Sequence, residues 1–160
     1  MPPAGAGLHT LVLYGASSRA DAALRALTEA AAERGGRITV VSLVVQEPES
    51  RRCCDTRSVL WNDFSREFAR EDLSRAALAV EDDQTVELDV LPFSGRRAAD
   101  AVIREALIRD ADEIVLADVR ATAIGPLERR RLRRNSPLPV SEYRDTTATT
   151  TSAGASHAGG

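Results

Sequence analysis

Four short stretches hold residues whose types and spacing could do chemistry. The first is Gly15-Ala16-Ser17-Ser18, between the apolar run "LVLY" and an Ala/Leu-rich pattern. Small residues at a strand-to-helix turn let backbone N–H groups approach an anion at the helix N-terminus. The same residues also make a plain turn with a serine cap. The second stretch carries Asp118, Arg120 and Gly125, just after the apolar run "EIVLA". The third is the vicinal pair Cys53 and Cys54, beside Arg51, Arg52 and Arg57. Adjacent cysteines rarely bridge each other because the ring is strained. Guanidinium groups nearby lower a thiol pKa, so a redox or metal-sensing pair stands beside the plainer reading of partly buried or incidental loop thiols. The fourth is Arg129, Arg130, Arg131, Arg133 and Arg134, within about two helical turns. This cluster is either a solvated face paired with Glu128 and other acids, or a surface for an acidic protein or an anionic ligand. It has no interleaved aromatic residue, which argues against stacking on single-stranded nucleic acid.

What is missing narrows the chemistry further. The 160 residues contain no lysine, so all 21 cationic side chains are arginine. A Walker A lysine, a Schiff-base lysine and a lysine nucleophile are excluded. The two histidines are His9, just before the first apolar run, and His157, near the end. A Ser-His-Asp triad or a Cys-His dyad would have to borrow one of them, and two cysteines without a nearby histidine do not complete a zinc site. The expectation is a protein that is not an enzyme and holds no metal. The formal net charge of −3 points away from nucleic acid and anionic membranes. No apolar run reaches the length of a transmembrane helix, and "MPPAGAGLHT" does not read as a signal peptide. A cytoplasmic protein is expected.

The elements that must position these residues alternate along the chain. "TLVLY" (10–14) is a buried-type strand, followed by a helix with Ala20, Ala23, Leu24, Leu27, Ala30 and Ala31 at helical spacing. "RGG" (34–36) ends that helix, and "RITVVSLVV" (37–45) is a second strand of the kind covered on both faces. A long helix spans about 58–81, with Phe64, Phe68, Ala69, Leu73, Ala76 and Val80 as its apolar face and Trp61 packed near its start. "VELDVLPF" (86–93) is a strand with one wetter face. The next helix turns Ala99, Val102, Ile103, Ala106 and Leu107 inward. A fourth strand (113–117), a basic helix opened by Gly125-Pro126, and a short edge strand in "SPLPVSEY" complete the order. Such alternation predicts an α/β fold, a doubly wound five-stranded parallel sheet flanked by helices. Ligands in such sheets bind beyond the carboxyl ends of the strands where strand order reverses, so the loops after the first and fourth strands are expected to meet. Residues 1–7 form an expected flexible N-terminus, 8–143 the domain, and 144–160 a low-complexity, disordered tail.

The stretches "DADEIVLADVR" and "LERRRLRRNSPLPV" resemble the end of a universal stress protein domain. "TLVLYGASSRADAALRALTEAAAERGGRITVVSLV" and "VELDVLPFSGRRAADAVIREA" resemble its beginning and its third strand and helix, so the likeness covers about residues 8–143. The resemblance implies a Rossmann-like fold akin to the adenine nucleotide alpha hydrolases, a role in stress response, and a homodimer formed through the last strand. That strand is less apolar here than in the family. Nucleotide-binding members carry G-x2-G-x9-G-[ST] after the fourth strand. Here Asp118 and Ala121 stand at the two leading glycines, the loop is several residues short, and only Gly125 remains. "LYGAS" stands where the family has an aspartate in its first loop. A carboxylate about 4 Å from a phosphate is repelled by about 4 kcal/mol at an effective dielectric of about 20. The expectation is therefore a universal-stress-like regulatory or binding module that does not hold ATP through the family loop and needs no cofactor. Two alternatives stay open: an adenine-nucleotide-binding member with a noncanonical pocket built from Gly15, Ala16, Ser17, Asp118, Arg120 and Gly125, and a thiol sensor using Cys53 and Cys54.

Overall fold

A computed structural model of the chain describes residues 7–47, 56–81 and 85–144. The elements run β1 (His9–Leu13), α1 (Ser18–Arg34), β2 (Arg37–Gln46), α2 (Thr56–Ala79), β3 (Val86–Ser94), α3 (Ala98–Ile108), β4 (Glu113–Leu116), α4 (Pro126–Asn135) and β5 (Val140–Glu142). The strands form one parallel sheet in the order β3-β2-β1-β4-β5. Alternate side chains of a strand face opposite sides, and β1 shows the consequence directly. Leu11 and Leu13 join Ala99, Val102, Ile114 and Leu132 under α3 and α4, while Val12 and Tyr14 join Ala20, Leu24, Val40 and Leu73 under α1 and α2. The sheet is thus covered on both faces, as its nearly continuous apolar central strands require.

The helix boundaries follow local chemistry. Ser17 caps α1 by accepting the N–H of Ala20 at 3.0 Å, and Gly35 ends it in the left-handed region at φ 64°. Pro126 occupies the first turn of α4, where its missing N–H costs nothing. Chain order reverses direction between β1 and β4, so the crevice lies beyond their carboxyl ends.

Three expectations need correction. His9 is not ahead of the first strand but its first residue, and it is buried. The apolar face expected along all of α2 holds only in its second half. Ala69, Leu73, Ala76 and Val80 are buried, but Trp61 is 51% exposed, Phe64 58% and Phe68 53%. β3, beneath this helix, is the edge of the sheet, so no further strand extends the layer against which the aromatic rings could pack. Phe64 and Phe68 meet edge to face instead, with centroids 4.7 Å apart. Leu107 is 51% exposed, since the buried stripe of α3 consists of Ala98, Ala99, Val102 and Ala106.

Candidate functional site

The loops after β1 and β4 meet as expected, and they meet through direct bonds. The Ser17 hydroxyl donates to Asp118 Oδ2 at 2.8 Å while accepting the α1 cap bond. The other oxygen, Asp118 Oδ1, accepts the N–H of Arg120 at 3.0 Å. Burial pushes the Asp118 carboxyl upward, but the bonds from Arg120 N–H and Ser17, with the charges of Arg19 and Arg120, outweigh it. Its pKa lies below the ordinary value. A charged carboxylate therefore sits against the cap of α1, the position at which this kind of fold offers N–H groups to an anion.

Gly15 is equally committed to the chain itself. A Cβ placed there would lie 2.0 Å from the carbonyl oxygen of Ala121. That carbonyl belongs to a tight turn in which the N–H groups of Ala121 and Thr122 both donate to the Asp118 carbonyl at 3.2 Å. The close approach that glycine permits is thus taken up by polypeptide. Ala16, half-buried, packs toward the core cluster under α1.

Beside this closed junction lies a cleft of ≈ 720 Å³ at the ends of β4 and β5. Arg19, Arg120, Arg129 and Arg144 line it against two carboxylates, Asp118 and Glu142. Arg129 approaches Glu142 at 4.0 Å, Arg133 pairs with the same carboxylate, and the buried Nε of Arg129 has no partner among the described residues. The cleft can attract an anion. Asp118, bonded by Ser17 and the Arg120 N–H and held in its charged form, is not poised to donate a proton there.

The other predicted residues fall elsewhere. Gly125 heads α4 and lines a second groove, of ≈ 830 Å³, rather than the cleft. Nothing lies within 4 Å of a Cβ at Gly125, so space does not require a glycine there. Cys53 and Cys54 lie outside the described residues. Those described hold no cluster of histidine, cysteine or carboxylate side chains suited to a metal, and no helix among them is long and apolar enough to cross a membrane. His9 lies at the opposite end of β1 from the cleft, with Nε2 2.9 Å from Thr39 Oγ1.

Two features escaped the sequence reading. Glu142, Tyr143 and Arg144 join the cleft because β5 pairs with β4 and the Tyr143 N–H donates to the Leu116 carbonyl at 2.9 Å. Only the pairing of two strands remote in sequence brings them there. The second is a triad in which two members are buried and Arg75 is half exposed: the Tyr14 hydroxyl donates to Asp21 Oδ1 at 2.5 Å, and Arg75 grips Oδ2 at 2.9 and 2.7 Å. A tyrosine closing the apolar run Leu11–Leu13 was the available signal, since a buried phenol needs a partner.

No protein-family model matches the chain, and no curated protein matches it. Solved structures do. A universal stress protein family structure from Burkholderia pseudomallei is 22% identical, with a TM-score of 0.64 over 84% of this chain and 94% of that one. The universal stress protein UspA from Lactobacillus plantarum is 16% identical, with a TM-score of 0.66 over 87% and 99%. A universal stress protein from Archaeoglobus fulgidus, solved in complex with dAMP, is 22% identical, with a TM-score of 0.57 over 86% and 98%. The chain has the fold of these proteins, in line with the resemblance in its sequence.

Proposed function

We propose that this chain is a universal-stress-like binding module of the cytoplasm, acting in stress response by binding rather than by catalysis, and that its crevice does not take ATP through the family loop. One observation carries the reading: the Ser17–Asp118 bond holds the chain's own carboxylate against the capping hydroxyl of α1. The packing of Gly15 against Ala121 supports it, because the glycine's free space is already used. Calorimetry of purified protein with ATP, ADP and AMP tests it. No binding of ATP in the micromolar range is expected, and micromolar ATP binding overturns it.

A second reading has its own support. The cleft lined by Arg19, Arg120, Arg129 and Arg144 carries more guanidinium groups than carboxylates, and a neighbour of the same fold was solved with dAMP. On that reading an adenine nucleotide lies across the β4 and β5 ends with its phosphate toward Arg19 and Arg120. Mass spectrometry of the freshly purified protein decides it: a co-purified adenine nucleotide, lost in an Arg120→Ala variant, supports it, and an empty protein counts against it. A homodimer through β5 remains part of the proposal. Sedimentation velocity of the wild-type chain tests it: a dimer is expected, and a chain that stays monomeric at micromolar concentration counts against it.

A further inference from the structure

We propose that the groove between the head of α3 and the outer face of α4 docks an acidic peptide segment of a partner protein, one that carries an apolar side chain. The fold sorts the arginine cluster of α4 into two halves. Arg129 and Arg133 turn toward Glu142, on one side of the buried Leu132. Leu127, Arg130, Arg131 and Arg134 repeat at i, i+3, i+4 and i+7, which puts them in one stripe along the helix. That stripe and Arg96, across the groove, line the same ≈ 830 Å³ space.

Among the described residues the charge of this groove is only partly answered. Its one carboxylate, Glu128, accepts the N–H of Ala99 at 3.1 Å and holds Arg131 at 3.3 Å. Arg96, Arg130 and Arg134 are exposed and form no ion pair among the described residues. This is a local cationic excess on a chain whose formal net charge is −3. Such a patch steers and orients an oppositely charged partner.

The shape of the patch selects a peptide over other anions. The stripe is mixed rather than purely cationic: Arg130, Arg131 and Arg134 lie within about 6 Å along the axis, and Leu127 adds an apolar side chain one turn nearer the N-terminus. Leu127 and Arg134 are about 10 Å apart along the axis, the span of about three residues of extended chain. At the N-terminal end of this span sit Pro126 and Leu127, the latter 74% exposed, apolar surface that a phosphate backbone cannot use. Acidic side chains would meet the arginines while an apolar side chain covers Leu127.

Fluorescence anisotropy with a labelled peptide of alternating glutamate and leucine tests the proposal. A glutamate–serine peptide, inorganic polyphosphate and duplex DNA serve as competitors. The expected result is saturable binding that weakens with salt, falls at least about tenfold in Arg130→Glu/Arg134→Glu, and falls several-fold in Leu127→Ser. Arg25→Glu, on the opposite face of the sheet, leaves it unchanged. If the charge reversal unfolds the chain, Arg130→Gln/Arg134→Gln reads the same dependence. The proposal is overturned by absence of binding, by binding indifferent to the arginine variants, by equal binding of the leucine-free peptide, or by tighter binding of polyphosphate or DNA.

Discussion

Gly15 and Tyr14 are neighbours whose roles differ in kind. Gly15 is required by close approach, since the Ala121 carbonyl stands where a side chain would go. Gly15→Ala is expected to push the β4–α4 turn away and to cost about 1–3 kcal/mol, the usual cost of overpacking. Denaturant unfolding checks this, and an unchanged midpoint would show that the turn yields freely. Tyr14 is required by its hydroxyl. Tyr14→Phe leaves Asp21 with Arg75 alone and is expected to cost about 1–2 kcal/mol, because the lost bond reaches a buried carboxylate. The sequence announced the glycine as a loop residue. It could not say that the space was reserved for the chain rather than for a ligand, because Ala121 is remote in sequence and arrives only through the β1–β4 pairing.

Distant carboxylates reach the N-termini of two helices in different ways. α1 has its own cap in Ser17, backed by Asp118. α3 has none of its own, since Arg97 makes no side-chain cap bond, and Glu128 of α4 reaches the Ala99 N–H instead. Glu128→Ala is therefore expected to destabilise the chain by about 1 kcal/mol, in the range of a lost cap, and to loosen the head of α3. Hydrogen exchange read along the chain checks it: protection at the start of α3 is expected to fall, with α1 unaffected. At this scale the sequence was most legible. The strand runs, the Ser17 cap, the Gly35 stop and Pro126 all act within a few residues, so their effect can be read locally. The aromatic residues of α2 were misread for the opposite reason. Helical spacing places Phe64 and Phe68 close together on the helix, but whether anything covers them depends on where the sheet ends.

At the scale of the whole molecule, three groups among the described residues lie below their ordinary pKa values. Burial raises Asp21 and Asp118, but hydrogen bonds and nearby arginines outweigh it in both. At His9, burial and then the Arg37 charge push the imidazole down. In each case the unfolded chain takes up the proton first as pH falls, so stability declines with acidification. The His9 contribution is fully present above about pH 6.5 and declines below it, whereas the two carboxylates contribute above about pH 4 and lose their share below. Urea midpoints measured from about pH 8 to about pH 3 are expected to fall in two stages, and His9→Gln is expected to remove the first. A wild-type midpoint that stays flat between about pH 7 and about pH 5 would contradict this assignment. Two kinds of information divide here. By itself the sequence determined the alternating α/β order, the parallel sheet, the junction of the first and fourth loops, and the absence of lysine and paired histidine chemistry. These follow from local periodicity, capping and composition. Only the tertiary structure decided that Asp118 bonds the capping Ser17 of α1, that Arg129 and Arg133 serve Glu142 while Arg130 and Arg134 face outward, and that Gly125 lines a different groove from Asp118. Each of those outcomes depends on which strands become neighbours and how a helix is rotated against them, and neither is written within any single stretch of chain.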